Sequence, residues 1–179
     1  VFVLIFSIFC LCLAHSQDIS VTSPDGHLSV KVFLEDGKPM YSIIHKGKSM
    51  LLNSPLGLIT NEGDFSANMR FVRKSERKID EKYVQDKIKK AQVHYKANVL
   101  LCTFQNAKER EISVLFQVSN NNVAFRYELP IWGERRACVV EKETTGFRFP
   151  SITTAFVSYM MESMGAFART SPSYESDYQ

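Results

Sequence analysis

Apolar and polar residues alternate with a period of two along most of this chain. Ile19 and Val21, then Leu28, Val30, Val32 and Leu34, occupy every second position with polar residues between them. Residues two apart on a strand return to the same face, so this is the signature of strands with one buried side. Asp25-Gly26 separates the first two runs. Glu35-Asp36-Gly37-Lys38 and Lys46-Gly47-Lys48 flank a third run, Tyr41, Ile43 and His45. Glycine supplies the positive φ that tight hairpins require, so these three stretches read as turns. Met50-Leu51-Leu52 and Leu56-Gly57-Leu58-Ile59 are short apolar pieces around Ser54-Pro55, and Val93 to Phe104 reads as one long strand or a hairpin. Ile112, Val114, Phe116 and Val118 alternate again. Asn120-Asn121-Asn122 turns the chain, and Val123, Phe125, Tyr127 and Leu129 run back. Cys138-Val139-Val140 and Phe147–Phe149 read as two further short strands.

No segment sustains a helical period. Ser75 to Lys90, SERKIDEKYVQDKIKK, comes nearest. Its charge density suits either an exposed helix or a solvated edge hairpin. The hairpin is favoured, because lysines on an open sheet edge discourage further pairing. Short strands with turn signals roughly every 8–12 residues predict an all-β, antiparallel sandwich rather than a parallel α/β sheet.

The start of the chain breaks this pattern. Val1 to Leu13 is almost wholly apolar, and Ala14-His15-Ser16 then places small residues three and one positions before Gln17. That is the spacing of a signal peptide cleaved after Ser16, although an initiator Met and a basic leading segment are missing. The run is shorter than the roughly 20 residues that a membrane span needs. Cys10 and Cys12 lack the small residues expected before a lipidated cysteine, so simple cleavage is expected. Residues 17–179 are then one domain's worth of chain, in a secreted or periplasmic protein. The last residues, Ser173-Tyr174-Glu175-Ser176-Asp177-Tyr178-Gln179, form no closing element, which reads as the front of a longer protein.

A net charge of +3, with Lys and Arg interleaved among Asp and Glu, argues against a nucleic-acid partner. Cys102 and Cys138 both sit in apolar runs and read as buried free thiols, although an oxidising compartment permits one disulfide. There is no phosphate-binding loop, dinucleotide fingerprint, His-Glu-x-x-His, Cys-x-x-Cys or Gly-x-Ser-x-Gly. His27, His45 and His94 are scattered on separate strands. Trp132, at a strand end, is either a sugar-stacking face or, more ordinarily, a lid on the sandwich. Glu141 and Glu143 share one strand face at i, i+2. Such a pair can serve acid and base roles, and it is also what any solvated sheet face carries. Glu175 and Asp177 lie on an irregular, oxygen-rich segment, and hard cations such as calcium take several such oxygens.

Several stretches, in order, resemble the N-terminal domain of glycoside hydrolase family 97. They are Ser23-Pro24-Asp25-Gly26, then Gly37-Lys38-Pro39-Met40-Tyr41-Ser42-Ile43 through Gly47-Lys48, then Ser54-Pro55-Leu56-Gly57-Leu58. Tyr83 and Lys87 follow, then Asn122-Val123-Ala124-Phe125-Arg126-Tyr127, then Glu141-x-Glu143-Thr144 with Phe147-x-Phe149-Pro150. An Asp-Gly turn is usual before the Val-Ala-Phe-Arg-Tyr string. Here it is Asn121-Asn122, which changes the turn and leaves the strand intact.

The resemblance implies a β-super-sandwich of the galactose-mutarotase-like type, followed by a (β/α)8 barrel that carries the catalytic residues. It also implies a calcium-dependent, exo-acting α-glycosidase releasing terminal α-linked glucose or galactose from oligosaccharides. Calcium would draw one ligand from this domain, with Glu175 the best candidate and Asp177 the next. No catalytic residue is assigned to this chain. Whether the reaction inverts or retains depends on a carboxylate separation of roughly 6.5–9.5 Å or about 5–5.5 Å. The rival reading is a stand-alone secreted carbohydrate-binding or adhesion module. A barrel of about 250 residues downstream would separate the two.

Overall fold

The alternation of Leu28, Val30 and Val32 with Ser29 and Lys31 becomes a strand whose apolar side is fully covered. Val30 and Val32 have no exposed surface. In the computed structural model, residues 19–86, 92–134 and 136–157 are described, and they contain strands and no helix. Strands β1 (Ile19–Thr22), β2 (Leu28–Glu35), β3 (Lys38–His45) and β4 (Lys48–Pro55) form one antiparallel sheet in that order. The second sheet has the order β10, β9, β8, β7, from β7 (Arg70–Val84), β8 (Gln92–Gln105), β9 (Glu111–Ser119) and β10 (Val123–Glu128). A small third sheet joins β11 (Val140–Glu143), β5 (Leu58–Thr60) and β6 (Gly63–Asp64).

The turns follow from residue chemistry. Glu35 pairs with Lys38, and Asp36 (φ 49°) and Gly37 (φ 73°) form a two-residue loop with both φ positive. That backbone matches the right-handed twist of the strands it joins. Lys46 (φ 47°) and Gly47 (φ 78°) repeat the geometry between β3 and β4, with His45 opposite Lys48.

The first two sheets close over one core. Val30, Val32 and Tyr41 from the first meet Leu100, Cys102, Val114, Phe116 and Val118 from the second. Tyr41 sits 5.8 Å from Phe116 and 5.7 Å from Phe125, ring centre to ring centre. These tilted contacts add specificity to the area they bury.

Ser75–Lys90 resolves in favour of the hairpin, so far as its residues are described. β7 and β8 pair from Arg70 opposite Gln105 to Val84 opposite Gln92, and Val93–Phe104 is one strand. Other expectations need correcting. Phe147–Phe149 is not a strand, and Cys138 and Val139 precede β11 rather than belonging to it. Residues 146–148 nevertheless follow the edge of β4. Gly146 N donates to the Pro55 carbonyl at 3.0 Å and Leu52 N to the Arg148 carbonyl at 2.8 Å. Ser54 Oγ takes the Arg148 N–H at 2.9 Å, so a side chain interrupts the ladder.

The chain divides into two compact units, Val1–Arg148 and Phe149–Gln179. In the second, the described residues 149–157 contain one turn, closed by Thr153 N on the Pro150 carbonyl at 3.0 Å. Val1–Ser16, Lys87, Glu175 and Asp177 lie outside the described residues.

Candidate functional site

Gly57 is the residue around which three sheets are joined. Its φ of 151° is open to glycine and hardly to anything else. A Cβ there would stand 2.7 Å from Ser66 Cα and 2.7 Å from Thr144 Oγ1. Gly57 N donates to the Tyr127 hydroxyl at 2.8 Å, and its carbonyl accepts from Thr144 N at 2.9 Å. The Tyr127 hydroxyl also bonds Thr145 Oγ1 at 2.6 Å, and Tyr41 donates its hydroxyl proton to the Gly146 carbonyl at 3.1 Å. Phe147 packs 6.3 Å from Phe125. Burial raises the pKa of Tyr127, and raises that of Tyr41 to about 12. Both phenols therefore stay neutral and serve as hydrogen-bonding groups rather than bases. This is a structural joint held by paired buried polar groups, with Thr144 Oγ1 left without a hydrogen-bond partner among the described residues.

Beside it, the loop that leaves β10 lays Trp132 over Phe65, with centroids 5.3 Å apart and planes 12° apart. Phe65 is 1% exposed, so one indole face is spent on the core and Trp132 acts as a lid. A cleft of about 250 Å3 opens there between Glu62, Leu129, Pro130, Trp132, Arg136 and Cys138. Trp132 Nε1 is buried with no hydrogen-bond partner among the described residues. Asn61 staples the far side, its Oδ1 taking the Val139 N–H at 2.8 Å while its own N–H goes to the Val139 carbonyl at 3.1 Å.

The other nominated residues do not converge. Glu141 and Glu143 lie on β11, which is exposed throughout, and a register shift falls between Val140 and Lys142. That irregularity makes Glu141 the extra residue, so the simple i, i+2 face expected for the pair does not hold. His27 pairs with Asp25 at 3.3 Å in the β1–β2 turn, and His94 pairs with Asp80 on β7. His45 borders a separate cleft with Asn120–Asn122. Asp25 is held below the usual carboxylate range, first by the Ser23 hydroxyl and then by the His27 backbone N–H.

Both Cys102 and Cys138 are free thiols. Cys102 is buried, which pushes its pKa up to about 12, whereas Cys138 is only half-buried. Among the described residues, no three His, Cys, Asp or Glu side chains gather in a way that could hold a metal ion.

Residues 21–179 match the family described as Glycosyl-hydrolase 97 N-terminal. The chain belongs to that family. It is 45% identical, with a TM-score of 0.82, to the crystal structure of a beta-arabinopyranosidase, covering 91% of this chain and 26% of that one. A glycoside hydrolase family 97 enzyme from Pseudoalteromonas sp. strain K8, in complex with panose, is 27% identical with a TM-score of 0.68. That match covers 74% of this chain and 20% of the enzyme. A probable retaining alpha-galactosidase of Streptomyces bingchenggensis (strain BCW-1) is 26% identical over 161 residues, which is 87% of this chain and 25% of the relative. The chain thus spans about a quarter or less of the length of the proteins it matches.

The family 97 strings now have physical reasons. Ser54–Leu58, the strand holding Phe125 and Tyr127, and Glu143–Thr144 with Phe147 all meet at the Gly57 joint. The sequence signal for that joint was the strings themselves. Nothing in spacing alone linked Gly57 to Tyr127, 70 residues away. Arg136 beside Trp132 had no signal of its own.

Proposed function

We propose that this chain is the N-terminal sandwich of a secreted, calcium-dependent, exo-acting α-glycosidase whose catalytic carboxylates lie downstream. The observation that carries the reading is the 45% identity, at a TM-score of 0.82, to a beta-arabinopyranosidase of which this chain covers 26%. A domain in that position supports a catalytic module rather than performing hydrolysis.

The same observation favours a galactose-type sugar. A β-L-arabinopyranoside has the ring stereochemistry of an α-D-galactopyranoside without the exocyclic hydroxymethyl group. Taken as acting on the L-sugar, a beta-arabinopyranosidase and an alpha-galactosidase share one ring configuration with an axial O4. Glucose, expected on equal terms from the resemblance, differs at that oxygen, and the panose complex keeps it as the second sugar to try.

In this reading the sandwich is scaffold and pocket wall. Glu175 is the calcium ligand it contributes, with Asp177 as the alternative, since carboxylate oxygens are the hard donors calcium prefers. Export rests on the apolar run Val1–Leu13 and the small residues before Gln17.

The test is hydrolysis of nitrophenyl α-galactoside, β-L-arabinopyranoside and α-glucoside by the full-length protein, with and without a chelator. Cleavage of the first two, lost on chelation and weakened at limiting calcium by Glu175→Gln, is the expected result. No turnover of any of the three in the presence of calcium would sink the glycosidase reading and favour a binding module. Turnover indifferent to chelation would remove calcium and Glu175 from it.

A further inference from the structure

β7 is the outer strand of its sheet, and among the described residues nothing pairs with its free edge. It is 15 residues long. Its centre reads Arg73-Lys74-Ser75-Glu76-Arg77-Lys78-Ile79-Asp80-Glu81, exposed at every position except Ile79. An open edge of that length invites pairing with another strand, and charge is the usual guard against it. Whether charge blocks or permits pairing depends on which signs face each other across the ladder.

Here the signs invert about Arg77, each charge having the opposite one at the same distance on the other side. A two-fold axis normal to the sheet through Arg77 sets Glu76 opposite Lys78 of a second copy, Lys74 opposite Asp80, and Arg73 opposite Glu81. By symmetry each pair occurs twice. Directly opposed residues of an antiparallel ladder share a face, as the members of each of these pairs do. Moving the axis one residue destroys the match. Centred on Glu76, Lys74 meets Lys78; centred on Lys78, Glu76 meets Asp80 and Lys74 meets Lys82. One like-charge contact remains in the matched register, Arg77 with itself on the axis.

We propose that β7 pairs antiparallel with β7 of a second copy of this chain, in the register centred on Arg77, joining two four-stranded sheets across a two-fold axis. The interface is isologous, with the same strand edge on both sides. Existing contacts do not forbid it. Arg73 already bonds Glu111 at 3.0 Å, Lys74 holds Glu76 at 3.0 Å, and Asp80 holds Lys96 at 3.1 Å and also His94. A guanidinium has five donors and a carboxylate about four acceptor sites, so each keeps capacity for a partner across the seam. This inference stands apart from the glycosidase reading and does not depend on it.

The experiment is sedimentation velocity on the full-length protein at low and high salt, with three variants. Wild type should dimerise at low salt, with a dissociation constant about tenfold weaker at high salt, because the pairs are exposed and screened. Glu76→Lys with Asp80→Lys and Glu81→Lys makes the centre wholly basic. Arg73→Glu with Lys74→Glu and Lys78→Glu makes it acidic everywhere except at Arg77. Each should be monomeric alone, and an equimolar mixture should restore a heterodimer. Arg77→Ser removes the like pair on the axis and should tighten the dimer about threefold or more, a gain that misfolding does not produce.

Wild type that stays monomeric to roughly 100 µM at low salt would overturn the proposal. So would charge-swapped variants that associate like wild type, or a mixture that fails to associate. If the triple variants do not fold, Arg77→Ser decides alone: unchanged or weaker association rejects the interface.

Discussion

β8 belongs to two environments along a single strand. From Ala97 to Gln105 it lies between β7 and β9, and Ala97, Val99, Leu100, Cys102, Thr103 and Phe104 are buried. From Gln92 to Lys96 it has left β9 behind, because the last β9 partner is Ser119 opposite Ala97. Among the described residues it pairs there only with β7, as a two-stranded ribbon. Period-two alternation continues in that ribbon, through Val93 and Tyr95, yet neither residue is fully buried. Alternation states which side could be buried; a second layer decides whether it is. Two strands alone are marginal in water. The ribbon is held by short-range pairs: Asp80 with Lys96 at 3.1 Å, Asp80 with His94, and Gln117 Nε2 donating to Tyr95 Oη at 2.6 Å.

The contrast is broken most directly by truncating one aromatic in each part. Phe116 has no exposed surface and touches both Tyr41 and Phe125. Phe116→Ala should cost about 3–5 kcal/mol in denaturant unfolding. Tyr95→Ala, in the ribbon, should cost about 1 kcal/mol or less, as surface changes do. Equal losses would mean that the ribbon is as tightly packed as the body.

A second, smaller effect comes from the joint. Gly57→Ala meets Ser66 Cα and Thr144 Oγ1 at 2.7 Å and should cost about 2–4 kcal/mol. Gly26→Ala, at φ 76° with open space around it, should cost about 1 kcal/mol. Thermal midpoints of the two variants would separate a clash with neighbours from backbone strain alone. Equal midpoints would show that the joint yields.

The smallest effect is electrostatic and belongs to the ribbon. His94 and then Lys96 hold the Asp80 carboxyl below its ordinary value of 3.8. A depressed carboxylate binds fewer protons folded than unfolded. Its contribution is therefore present above the unfolded value and lost as pH falls through the folded one. Amide exchange in β7 and β8 should speed up relative to the body as pH drops below about 4, after correction for intrinsic rates. Asp80→Asn should remove that acid-side change. A ribbon whose protection is indifferent to pH would leave the ion pairs without a role.

Alternation made the sandwich legible because its strands are paired hairpin by hairpin, and each turn carries its own chemistry. Asp36-Gly37 and Lys46-Gly47 declared themselves in this way. Failures came where burial depends on partners distant in sequence. Phe147 and Phe149 alternate like strand residues, but Ser54 Oγ takes the N–H of Arg148 that a ladder would use. Glu141 fell on a register shift that no local pattern announces. Trp132 was legible as a lid because an aromatic next to Pro and Gly at a strand end has few other places to go. Gly57 was legible only as a family string, since its constraint comes from Ser66 and Thr144 rather than from its neighbours. Glu175 and Asp177, the calcium candidates, lie outside the described residues.

The Arg148–Ser54 contact joins residues 94 positions apart, and the Tyr41–Gly146 contact residues 105 apart. On a ribosome adding about 5–20 residues per second, β4 is finished roughly 5–20 s before the segment that seals its edge exists. In that interval Leu52 N and the Pro55 carbonyl present open pairing groups to any passing strand. Closure between such distant residues is slow for reasons of loop entropy. The seam between β4 and residues 146–148 is therefore a place where a nascent chain is exposed to mispairing, and where a chaperone would have something to protect.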